Sequence, residues 1–237
     1  MMIGRFRFIL AALFILSLSR ATAMSQEHAG SNASAAAAAA MSFTYKFENP
    51  RFYIPVIEVD LGPDGAGEVR FKRGESDEVI DLKLKASPLT MTRIRQLVAS
   101  TDFIASEEDY QSKKDFSHMG WMTLAARLGG RERTARFNYT HNIEIKELSE
   151  IFHGLATQEI HLFDIDNARQ YQPLDLPKQI EVLESSLRLG RLAEPERVLA
   201  TLEDIAGDNT LLLIARNHAG RIIKEIKKGK YKGPIKK

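Results

Sequence analysis

Between Asp102 and Trp121 lie side chains of types that do chemistry: Asp109, Tyr110, Asp115, His118 and Trp121. They share a stretch without periodicity, longer than the roughly 12 residues of an ordinary connection, and such loops are frequently functional. Two carboxylates and an imidazole there would suit a small hydrolase, provided burial raised one carboxyl pKa for general acid work. Nothing in the pattern indicates such burial. The competing reading is that Phe103, Tyr110 and Trp121 pin the loop to a sheet. Ser117 next to His118 adds little, because a nucleophile, base and orienter are defined by their arrangement in space.

His153, His161 and Asp164 raise a metal hypothesis. A helical metal pair needs ligands three or four residues apart, as in H-E-x-x-H, and the two histidines are two turns apart. His161 and Asp164 have the right spacing but no third ligand. Gly129-Gly130 is a hairpin turn with no helix N-terminus after it to hold an anion. With no cysteine in the chain, disulfides, thiolate metal sites and cysteine nucleophiles are excluded. Asn32-Ala33-Ser34 and Asn138-Tyr139-Thr140 match the glycosylation sequon, the second inside an expected strand, and both read as chance matches. The residues thus point to no catalytic, cofactor-binding or metal site.

The elements around that loop are well marked. Ser87 is a good N-cap and Pro88 fits the first helical position, where its missing N–H would have had no partner. Met91, Ile94, Leu97, Val98 and Thr101 then form one stripe, with Arg93, Arg95 and Gln96 facing water, and the helix should end near Asp102. A hairpin follows: Met122, Leu124, Ala126 and Leu128 alternate with polar or small residues, Gly129-Gly130 turns, and Ala135, Phe137 and Tyr139 alternate on the return.

Upstream, structure should begin near Phe43, with a first strong strand from Tyr53 to Leu61. Gly62-Pro63-Asp64-Gly65 turns the chain, and strands carrying Val69 and Phe71, then Ile80, Leu82 and Leu84, follow. Each is polar on one side, as in an antiparallel sheet with one solvated face. Downstream the period becomes helical: Ile145, Leu148, Phe152 and Leu155 after Asn142; Leu176 to Leu187 between Asp175 and Gly190; Val198 to Ile205 closed by Gly207; and Leu211 to Ile226 closed by Gly229. The expected class is α+β, in the order βββαββα, with two hairpin-like units covered by helices and then a segment of three helices.

Arg5 and Arg7 precede an apolar run from Phe8 to Leu18 and the small-residue pattern Ala21-Thr22-Ala23. That is the layout of a secretory signal peptide cleaved near Ala23, and the run falls short of the roughly 20 residues a bilayer span needs. Residues 24–41, with alanine from Ala35 to Ala40, have no face to bury and read as a disordered spacer. The expected organisation continues with an α+β domain over 42–170, helices over 171–229 and a basic tail over 230–237. Removing residues 1–23 takes away three arginines and no acids, leaving 30 basic against 31 acidic residues. Charge is uneven, since residues 221–237 hold eight basic side chains against Glu225 alone.

The motif Ile54-Pro55-Val56-Ile57-Glu58-Val59, the Pro63-Asp64-Gly65 turn, Val69-Arg70-Phe71, the helix end at Asp102-Phe103, Tyr110 and the hairpin together resemble a family of uncharacterised secreted bacterial α+β domains. The likeness covers about residues 50–157. It implies the fold and export and carries no activity. The family often has a cysteine directly before the proline where this chain has Ile54, so any role tied to that thiol is absent.

Two functions follow as expectations. The first is a non-catalytic exported module that binds a protein or a cell-envelope component, with no cofactor, no specific nucleic acid, and a weak anionic-surface contact through the basic tail. The alternative is a small periplasmic hydrolase-like enzyme built on the Asp109–His118 loop.

Overall fold

Phe43, Tyr45 and Phe47 alternate with Thr44 and Lys46, and this period-2 pattern forms a strand that was not anticipated from the sequence, β1 (Ser42–Glu48). The computed structural model describes residues 40–235, so the expected signal peptide, most of the expected spacer and the last two lysines lie outside the described residues. The other strands are β2 (Val56–Leu61), β3 (Ala66–Phe71), β4 (Ile80–Lys85), β5 (Trp121–Leu128) and β6 (Arg131–Phe137). They form one antiparallel sheet in the order β4-β3-β2-β1-β5-β6. β1 therefore joins the two expected hairpin-like units of the sheet, pairing Tyr45 with Val59 on one side and with Leu124 on the other.

The sheet's outer face is polar, as expected. Register places Lys46 opposite Glu58, Glu58 opposite Arg70 and Arg70 opposite Asp81, so charges alternate in sign across four strands. The inner face carries Phe43, Tyr45, Val59, Val69, Phe71 and Leu124, all buried. Helix α1 (Pro88–Ser100) covers part of it through Met91, Ile94, Leu97 and Val98. Ser87 Oγ accepts from Thr90 N at 3.2 Å, which is the expected N-cap. Arg93 and Arg95, expected in water, are half-buried instead. Arg93 makes a two-pronged bond to Glu147, with both contacts at 2.6 Å, and Arg95 donates to the Pro63 carbonyl at 2.5 Å.

Helix α2 (Ile143–Tyr171) has 29 residues and, at 1.5 Å per residue, is about 43 Å long. That length lets it serve two cores. Ile145 to Ile160 pack on the sheet, whereas Ile165 and Ala168 belong to a second cluster with α3 (Leu176–Arg188), α4 (Leu199–Gly207) and α5 (Leu213–Lys227). The chain after α3 folds back onto α2 at Gly154, where a Cβ would sit 2.7 Å from Ala193 N. There Glu194 adds a second cap to α1, its Oε1 accepting from Ser87 N at 2.7 Å and Thr90 Oγ1 at 2.5 Å. The chain after α5 packs as well: Tyr231 is buried, and a Cβ on Gly233 would meet the Leu192 carbonyl at 2.5 Å.

Candidate functional site

The loop singled out by its residue types is held by its own polar groups. Asp109 Oδ1 accepts from Gln111 N at 3.0 Å, a local turn. Asp115 accepts from Ser117 N at 2.8 Å, Ser117 Oγ at 3.0 Å and Asn138 Nδ2 at 2.8 Å. The Ser117 backbone and hydroxyl bonds hold its carboxyl below the usual carboxylate range, which is the wrong direction for a general acid. The His118 carbonyl accepts from Asn49 Nδ2 at 3.1 Å, and the His118 ring lies near Phe116. Among the described residues no hydrogen bond joins Asp109, Asp115 and His118 to one another.

Phe103 and Tyr110 do pin the loop. Both are buried, and their rings stack at 6.0 Å with Arg133 4.9 Å from each centroid. Arg133 also donates to the carbonyls of Phe103 at 2.8 Å and Glu108 at 2.6 Å. Trp121 plays no part in this. It sits half-buried at the start of β5 under the Arg136 guanidinium. Asn138, the sequon asparagine, is buried, and its amide is bonded at both ends, to Gln111, Phe116 and Asp115.

His161 and Asp164 have the spacing of a ligand pair but separate partners. His161 Nε2 lies 2.8 Å from Ser186 Oγ, and Asp164 pairs with Arg73. Among the described residues no group of three metal-ligating side chains comes together.

His153 has a partner that no helical spacing could reveal. Its Nδ1 lies 3.2 Å from the hydroxyl of Tyr45, 108 residues earlier on β1. The two rings floor a cavity of about 510 Å³. On one wall α2 presents Lys146, Ser149, Glu150 and His153, spaced three, four and seven residues from the first and so on one helix face. Phe47 and Met122 from the sheet make the apolar side, while Met119, Leu189, Arg191 and Pro234 close the rim. Gly120 permits this packing: its φ is +100°, and a Cβ there would meet the Phe47 ring at 2.6 Å. The volume falls within the range of small-molecule sites, and the lining, mostly apolar with a few polar groups, is what such sites use.

Burial dominates the electrostatics of the floor. It raises the pKa of the Tyr45 phenol, which stays protonated at neutral pH. It pulls His153 down to about 4, helped by the nearby charge of Arg191, so the imidazole is neutral. Phe47 meets that ring edge-on at 5.2 Å, and Phe152 stacks on Tyr45 at 5.9 Å, which fixes both orientations.

No protein-family model matches the chain, and no curated protein sequence matches it.

Proposed function

We propose that this is an exported, non-catalytic binding protein whose ligand is a small, largely apolar molecule from the cell envelope, taken up in the cavity over Tyr45 and His153. The cavity itself carries the reading: about 510 Å³, walled by Phe47, Met122 and Leu189 and floored by an oriented hydrogen-bonding pair. Export rests on the basic-then-apolar N-terminus ending in Ala21-Thr22-Ala23, in keeping with the resemblance to secreted bacterial domains.

A neutral apolar fluorophore, N-phenyl-1-naphthylamine, tests the reading. The protein should brighten it saturably. Ser149→Phe should abolish that brightening, because the buried Ser149 side chain borders the cavity, and a cooperative thermal melt checks that the variant still folds. Equal brightening by the two proteins would rule the cavity out as the site.

A further inference from the structure

The floor of the cavity has a polarity that its hydrogen bonds determine. Tyr45 is buried, and among the described residues its hydroxyl has one hydrogen-bonding neighbour, Nδ1 of His153. With the opposite polarity the phenolic O–H would have no acceptor inside the core, a loss that buried donors avoid. The hydroxyl therefore donates to Nδ1, and the neutral ring carries its proton on Nε2. Nε2 makes no hydrogen bond among the described residues, and His153 lines the cavity. It is a donor without an acceptor.

The charges at the rim lean the same way. Lys146 lies 3.8 Å from Glu150, so these two largely offset each other. Arg191 is exposed at the cavity's edge and makes no side-chain hydrogen bond or ion pair among the described residues, yet its charge is felt at His153. The local balance is one surplus cation and one surplus N–H, facing an apolar space. An occupant complementary to that is an anion with an oxygen acceptor and a hydrocarbon body.

We propose that the cavity binds an amphipathic carboxylic acid, its carboxylate received by the Nε2–H of His153 and the Arg191 guanidinium and its hydrocarbon part held among Phe47, Met119, Met122 and Leu189. This rests on the cavity being the binding site, and the test separates the two ideas. Decanoic acid, decanol and methyl decanoate are titrated calorimetrically at pH 7 into the protein and into Arg191→Gln and Arg191→Lys, substitutions of an exposed side chain with no hydrogen bond or ion pair among the described residues. The expected result is at least a tenfold preference for the acid over the alcohol and the ester. Arg191→Gln should remove most of that preference and Arg191→Lys should restore part of it. Equal affinities for acid, alcohol and ester would overturn the carboxylate assignment while leaving the cavity as the site. Binding of none of the three, with no uptake of the neutral fluorophore, would overturn both.

Discussion

The loop between α1 and β5 and the cavity beside α2 contain similar side chains, each with an imidazole, a tyrosine and nearby charge, but differ in what those groups are bonded to. In the loop Asp109, Asp115 and Asn138 are consumed by backbone and side-chain neighbours, and Arg133 clamps Phe103 and Tyr110. On the cavity floor Tyr45 and His153 orient each other, and among the described residues Nε2 is unused and the Arg191 side chain unpaired. The types of residue present say little about function. The donors and charges left over once the fold has satisfied itself say more, because a ligand can be recognised only by groups that are still available.

The largest expected difference is in stability. Phe103→Ala should destabilise by about 3–5 kcal/mol, since the ring is buried, stacked on Tyr110 and covered by Arg133. Met119→Ala, at the cavity rim and half exposed, should cost less than about 0.5 kcal/mol. Denaturant titrations of the two variants check this, and similar midpoints would mean the loop is not a structural clamp.

Acid should expose the next largest effect. His153 and His161 are both held at about 4 by burial, with Arg191 adding to it, against 6.5 for the free side chain. Between those values the unfolded chain binds protons that the folded chain refuses, so stability is complete above pH 6.5 and is lost as pH falls toward 4. Each group can contribute about 2–3 kcal/mol. A His153→Gln, His161→Gln double variant should lose less stability than the parent between pH 6.5 and 4 in thermal melts. Parallel losses would show that other groups set the acid limit.

Per residue, the smallest effect concerns the basic C-terminal stretch, where spent and spare charges stand side by side. Lys227 pairs with Glu203 at 2.7 Å and Lys230 with Glu225 at 2.6 Å, while Lys224, Lys228 and Lys232 are exposed with no ion pair among the described residues. We propose that the spare lysines supply a weak contact with an anionic surface, at roughly 1 kcal/mol per basic residue near anionic lipid. Lys224→Gln, Lys228→Gln and Lys232→Gln together should weaken sedimentation with anionic vesicles at low salt and leave the melting temperature unchanged. Cutting the chain at Gly229 would be a poorer test, because it removes the buried Tyr231. Undiminished sedimentation would show that the lysines merely complete a helix end.

Much of the local structure was legible in the chain itself. Ser87-Pro88 starts α1, Gly129-Gly130 turns the β5–β6 hairpin, and Gly207 and Gly229 mark the ends of α4 and α5, because caps and turns depend on residues within a few positions of one another. The α+β class followed from two periodicities, 2 and 3.6, that any stretch shows by itself. The pattern Phe43, Tyr45, Phe47 was there to be read as a strand, yet nothing near it says that β1 lies between β2 and β5, since strand order depends on which distant partner a strand meets.

The candidate site belongs to tertiary structure. In the sequence His153 has only helical neighbours to pair with, whereas its partner in the fold is Tyr45, brought over it by the packing of α2 on the sheet. Gly154 and Gly233 mark no turn in the sequence, and each is required only because the chain around Leu192 and Ala193 passes too close for a side chain. That passage places Leu189 and Arg191 at the cavity rim. Periodicity and capping report which face of an element is apolar. Which two faces meet, and which donor is left without an acceptor where they meet, depends on contacts across the whole chain, and these exist only once it has folded.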